Sequence, residues 1–133
     1  MKRPSAKTKK PLTILVLDDN ALWRQLVKSI IKSDLEISPF LAASGKEALD
    51  ILDAQQIDVV ISDLNMPVMS GIQFMQQARR LYPKTKVIIV SATVADSPTI
   101  SEELINQGAF AVISKLEIAT SLINLLRTLK KSK

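Results

Sequence analysis

Two kinds of apolar pattern alternate along the chain. Residues 12–18, 57–62, 86–90 and 110–114 are short runs that are apolar almost throughout. Runs of this length without polar alternation predict strands buried on both faces of a sheet. A weaker strand is expected over 37–42, where Pro39 cannot donate to a ladder and so points to a sheet edge.

Between these runs the apolar positions recur with a helical period. Asn20 is placed to cap a helix carrying Leu22, Trp23, Leu26, Val27, Ile30 and Ile31. Ser44-Gly45-Lys46-Glu47 has capping-box spacing and opens a helix through Leu49 and Leu52. Ser70-Gly71-Ile72-Gln73 repeats that spacing before a helix with Ile72, Met75, Ala78 and Leu81 on one face, stopped by Pro83. Ser97-Pro98 reads as an N-cap with a first-turn proline for a short helix ending at Gly108. A last helix is expected over 117–129 from Ile118, Leu122, Leu125, Leu126 and Leu129. Five strands and five helices in strict alternation predict an α/β fold, a parallel sheet covered by helices on both faces through right-handed crossovers.

The polar residues of interest fall at one recurrent place in this pattern, the carboxyl ends of the strands, where open α/β sheets bind ligands. Asp63 ends one apolar run and faces a loop marked by Pro67 and Gly71. Asp18 and Asp19 follow the first run, just before the positive end of a helix, which lowers the cost of holding two acids together. Two further runs end at Ser91 and Lys115. Three carboxylates, a hydroxyl and an amine converging at strand ends suggest one polar pocket for a metal and a phosphoryl group. Each residue alone has an ordinary structural alternative. Adjacent aspartates often only cap a helix, Asp63 could be a turn residue, Lys115 a surface lysine and Ser91 a satisfied loop hydroxyl. Trp23 fits two places equally, the apolar face of its helix and the edge of the pocket one turn beyond Asp19.

Composition narrows the chemistry. At 133 residues the chain is one domain with room for a real core. It has no cysteine and no histidine, which excludes thiolate and imidazole catalysis, histidine-bound zinc and a phosphohistidine carrier. What is left is hard-cation, oxygen-ligand chemistry. The net charge of +5 hides a division. Residues 1–10 hold five basic residues and no acid, and 127–133 hold four more; the middle sets nine basic residues against 13 acids. We therefore expect a basic, disordered tail over 1–11 and an acidic domain over 12–133. Weak attraction of the tail to an anionic surface or nucleic acid is the alternative. The acidic body, and a tail without interleaved aromatics, argue against a nucleic-acid partner. The apolar run after the basic start is too short for a signal peptide and no spanning segment is present, so no membrane insertion and a cytoplasmic location are expected.

Taken in order, Asp18-Asp19, Asp63-x-Asn65-Met66-Pro67-x-x-x-Gly71, Ser91-Ala92 and Lys115 resemble the receiver domain of two-component response regulators. The resemblance covers about residues 12–131, and Asn20-Ala21-Leu22-Trp23-Arg24-Gln25 is similar to the start of chemotaxis-type (CheY-like) receivers. It implies a stand-alone receiver with a flavodoxin-like five-stranded sheet in order 2-1-3-4-5, its site beside the β1/β3 switch point. It also implies a histidine kinase or histidine phosphotransfer protein as donor, an unidentified downstream protein as target, and no enzymatic activity beyond self-phosphorylation and autodephosphorylation.

In that setting Asp63 is the phosphoacceptor, forming an acyl phosphate by nucleophilic attack. Mg²⁺ would relieve the meeting of two anions, with Asp19, Asp63 and the Asn65 carbonyl as direct ligands and Asp18 acting through water. Lys115 would pair with one phosphoryl oxygen and Ser91 would donate to another. Two positions depart from the family pattern. Val112 stands where an aromatic switch residue is usual, with Phe110 two residues earlier. Leu116 stands where a cis proline usually follows the lysine, so a trans bond, a reshaped loop and a slightly displaced Lys115 are expected. Signalling is then expected to pass through the 92–97 loop, with Thr93 close enough to influence hydrolysis. A phosphorylation-independent interaction module is the competing reading. An FMN-binding flavodoxin is disfavoured by the acidic first loop, and no Gly-x-x-x-x-Gly-Lys nucleotide loop is present.

Overall fold

The computed structural model describes residues 10–92 and 97–133. Most of the expected basic tail, and Thr93 with the rest of 93–96, lie outside the described residues. The elements are β1 (Ile14–Leu17), α1 (Ala21–Leu35), β2 (Phe40–Ala42), α2 (Gly45–Ala54), β3 (Val59–Asp63), α3 (Gly71–Leu81), β4 (Lys86–Ser91), α4 (Pro98–Asn106), β5 (Ala111–Ser114) and α5 (Ile123–Ser132). A 3₁₀ turn (Lys115–Glu117) and a π turn (Ile118–Leu122) lead into α5. All strands pair in parallel, in the order β2-β1-β3-β4-β5. The strand containing the shortest apolar run lies at the edge, as Pro39 beside it indicated.

Side chains alternate across the strands and divide the core in two. Ile14, Val16, Val59, Ile61, Ile88 and Val90 face α1 and the approach to α5, meeting Val27, Ile31, Leu122 and Leu126. Leu15, Leu17, Val60, Val87 and Ile89 face α2, α3 and α4, meeting Ala48, Leu52, Phe74, Met75 and Leu104. Helices α1 to α4 begin where expected because a side chain meets an orphan amide at each start. Asn20, Ser44, Ser70 and Ser97 accept from the backbone N–H groups of Trp23, Glu47, Gln73 and Ile100. Ser70 and Gln73 complete a reciprocal box. Glu47 does not complete one; its carboxylate takes the N–H of Ala43 instead.

Three helix faces differ from the periodic reading. On α1 the buried set is Val27, Ile31 and Leu35, and Leu22 is 85% exposed. Leu22 stands about 140° around the helix from Val27 and cannot share its face. On α3 Phe74 is fully buried with Met75 and Ala78, while Leu81 turns to solvent at the last turn. The helix expected from 117 starts instead as the 3₁₀ and π turns, which bring both Leu122 and Ile123 into the core before α5 proper.

At the amino edge of the sheet Asp58 ties three segments. Its Oδ2 accepts from the N–H of Thr13 at 2.8 Å and from the Thr13 hydroxyl at 3.0 Å. The ammonium of Lys133, beyond the end of α5, pairs with the same oxygen. Among the described residues no helix is long and apolar enough to cross a membrane.

Candidate functional site

The carboxyl edge of the sheet gathers the residues singled out from the sequence. Parallel register does this: Leu17 pairs with Ser62, Asp63 with Val90, and Ser91 with Ser114, so the residues just past each pair emerge together. Asp18, Asp19 and Asp63 each place a carboxylate oxygen within 4.8 Å of the others. Asp18 and Asp63 are buried and Asp19 is exposed.

Asp18 is held on all sides. Its N–H donates to the Ala42 carbonyl at 3.1 Å, and its Oδ1 accepts the Asn20 N–H at 2.8 Å. The Arg24 guanidinium donates to its carbonyl oxygen at 2.7 Å. Its remaining oxygen, Oδ2, lies 3.2 Å from the Lys115 ammonium. The same ammonium lies 3.3 Å from Asp63 Oδ1. Lys115 therefore reaches both acids from the end of β5, and among the described residues every peptide bond is trans, that before Leu116 included. The Ser114 hydroxyl accepts from the Leu116 N–H and starts the 3₁₀ turn at the lysine itself.

Burial raises the Asp63 carboxyl above its ordinary value, and the Asp18 charge adds to the rise; Lys115 opposes it. Burial alone would depress the Lys115 ammonium, but Asp18 and then Asp63 outweigh it and hold the amine above its usual range. The site is thus short of positive charge: one ammonium serves two buried carboxylates and a third at the rim. An all-oxygen set of this kind fits a hard divalent cation.

The loop after Asp63 is closed by its own backbone. The Leu64 N–H donates to the Val90 carbonyl at 3.1 Å, and the Gly71 N–H returns to the Leu64 carbonyl at 2.8 Å. Gly71 is required by space: a Cβ there would lie 2.3 Å from the Asp63 carbonyl oxygen. Val68, at the loop tip, has φ 69° and spans a tight turn in which the Met69 N–H meets the Pro67 carbonyl at 2.7 Å. A β-branched residue in this conformation is strained.

Ser91 is buried at the end of β4, one position past the partner of Asp63. Val112 is half-buried against the α4 side of the core. Phe110 lies outside β5, half-exposed under the Lys86 ammonium at 5.6 Å, so neither presents a ring to the acids. Trp23 instead meets the lysine: its ring centre is 4.9 Å from the Lys115 nitrogen, and the side chain also packs against the α1 side of the core. Both sequence readings of Trp23 hold at once. Arg24 and the Asn20 amide, which secure Asp18, escaped the sequence reading because their only signal is proximity to Asp18 in the chain.

Comparison with known proteins matches residues 14–127 to the response regulator receiver domain family. The protein-glutamate methylesterase/protein-glutamine glutaminase of Treponema pallidum is 33% identical over 110 residues, 82% of this chain and 27% of that protein. The chain thus spans about a quarter of the length of such curated relatives. The solved receiver domain of Francisella response regulator 1452 superposes with a TM-score of 0.82 at 30% identity, covering 92% of this chain and 98% of that one. The chemotaxis response regulator CheY4 of Vibrio cholerae gives 0.78 at 30% identity, covering 90% and 99%.

Proposed function

Because this chain belongs to the family of response regulator receiver domains, we propose that it accepts a phosphoryl group on Asp63 and signals by protein–protein contact. The observation that carries this reading is the Lys115 ammonium suspended between Asp18 and Asp63, at 3.2 and 3.3 Å, with Asp19 beside them. An Asp63 oxygen attacks phosphorus; the new P–O bond forms as the bond from phosphorus to the donor breaks, and the donor leaves with that electron pair. Lys115 meets the incoming charge, and the buried Ser91 hydroxyl lies at the adjoining strand end to receive a phosphoryl oxygen.

Asp19, Asp63 and the Asn65 carbonyl would hold Mg²⁺ directly, with Asp18 acting through water. The ion would supply the positive charge that one lysine cannot, easing the approach of an anionic phosphoryl group to an anionic carboxylate. The donor in this reading is a histidine kinase or histidine phosphotransfer protein in the cytoplasm. Exposed apolar residues stand close in sequence to the site residues and suit a protein donor: Leu22 three residues after Asp19, Val68 in the loop after Asp63, and Leu116, 89% exposed, after Lys115. The chain's own chemistry is confined to phosphoryl uptake and its hydrolysis.

Incubation with a small acyl-phosphate donor and Mg²⁺, followed by intact mass, tests the reading. One phosphoryl group should be added, none without Mg²⁺ and none in Asp63→Asn. Full labelling of that variant would remove Asp63 from the role. No labelling of the parent chain would favour an interaction module that works without phosphorylation.

A further inference from the structure

The lysine over the acids has a third neighbour that carries no charge. Lys115 Nζ sits 4.9 Å from the centre of the Trp23 ring while holding Asp18 and Asp63. A cation over an indole face is attracted by the ring quadrupole, more strongly than over tyrosine or phenylalanine. Trp23 is itself anchored. Its backbone N–H donates to the Asn20 side chain at 2.9 Å, fixing its place in the first turn of α1, and its ring packs against the core under α1. Lys115 is the reverse, a charge on a flexible four-carbon stem. The residue after it gives little restraint, since Leu116 is almost fully exposed.

We infer that Trp23 is a positioning residue for phosphoryl transfer, its ring face keeping the Lys115 ammonium over the site while Asp63 changes state. The inference rests on the phosphoacceptor reading above. Before transfer, Asp63 Oδ1 attracts Lys115 with a full charge. Once the acyl phosphate forms, that carboxylate charge is gone and the ammonium must turn to a phosphoryl oxygen. Of its three present contacts, only Asp18 and Trp23 are unaltered by the reaction. Asp18 alone would draw the ammonium away from the arriving group. The Trp23 ring adds a fixed, uncharged hold on the ammonium that does not compete with phosphate for the lysine.

The test is a time course of phosphoryl uptake from a small acyl-phosphate donor with Mg²⁺, read by intact mass. Trp23→Leu keeps an apolar side chain against the core and removes the ring. It should take up phosphoryl about three- to tenfold more slowly, the range of a partly buried cation–π contact. Trp23→Phe should recover most of the rate. In a Lys115→Met chain, Trp23→Leu should cost nothing further, because its effect runs through the lysine. Equal rates for the parent and Trp23→Leu would overturn the inference and leave the acceptor reading intact. So would a Trp23→Phe chain as slow as Trp23→Leu, or the same fold-loss in the Lys115→Met chain, either of which marks a packing role. A parent chain that takes up no phosphoryl group at all would overturn both.

Discussion

Replacing Asp63 by asparagine removes a partner of Lys115, yet the variant is expected to be the more stable chain. The charges nearly cancel. At 3.3 Å the Lys115 ammonium attracts Asp63 by about 5 kcal/mol in an effective dielectric near 20. Asp18, no farther than 4.8 Å, repels it by about 3.5 kcal/mol on the same scale. Asp19 adds a fraction of that, reduced by its exposure to solvent. What remains is the loss of water from a carboxylate that is only 8% exposed. That penalty reaches several kcal/mol for a buried ion, and asparagine avoids most of it while its amide oxygen still accepts from Lys115. A net gain of about 1–2 kcal/mol follows, or a rise of about 4–7 °C in Tm for a domain this size.

The pH dependence has a defined sign. The folded chain holds the Asp63 carboxyl above its ordinary value, so it binds that proton more tightly than the unfolded chain does. Stability is therefore lost as pH rises from the ordinary carboxylate value through the raised one, and the loss is complete above it. Asparagine escapes this loss. Urea melts should show the full gap at pH 7, closing as pH falls through the raised value to the ordinary carboxylate range and constant below it. Added Mg²⁺ should narrow the gap at pH 7 by stabilising the parent. A variant less stable than the parent at pH 7, or a gap indifferent to pH, would refute the reasoning.

Two other substitutions probe the acceptor loop. Gly71→Ala would press a Cβ to 2.3 Å from the Asp63 carbonyl oxygen and 2.9 Å from the Leu64 Cα, both backbone atoms. It should cost about 2–3 kcal/mol in urea unfolding and slow phosphoryl uptake as the loop shifts. Val68→Gly, at φ 69° on an exposed tip, should leave urea stability equal to the parent's or higher with an unchanged m-value, since glycine adopts positive φ without a Cβ clash.

The architecture and most of the acidic site were legible because both depend on local pattern. Continuous apolar runs marked four of the five strands, and each acid or base of interest stood at the end of such a run. The caps at Asn20, Ser44, Ser70 and Ser97 were legible for the same reason, since a cap and its amide lie three residues apart. Helix faces were read less well. Leu22 and Leu81 fit a helical period as well as Val27 and Phe74 do, and only the position of the sheet decides between them. The start of α5 was missed because over one turn an apolar pair such as Leu122-Ile123 suits a π turn and an α-helix alike. The contact between Trp23 and Lys115 joins the first helix to the last strand, a distance in sequence that no periodicity spans.

The knot at Asp58 has a consequence for how the domain can be joined to others. Thr13 stands before the first strand and Lys133 beyond the last helix, and both bind the same carboxylate oxygen. Both ends of the described chain therefore leave from one edge of the sheet. That edge is separated from Asp63 by the length of β3, about 16 Å. Any polypeptide attached at either end starts behind the acceptor, and a phosphodonor can approach from the front without threading past it. A cargo carried there would meet the opposite edge of the sheet first, with the strands and helices standing between it and Asp63.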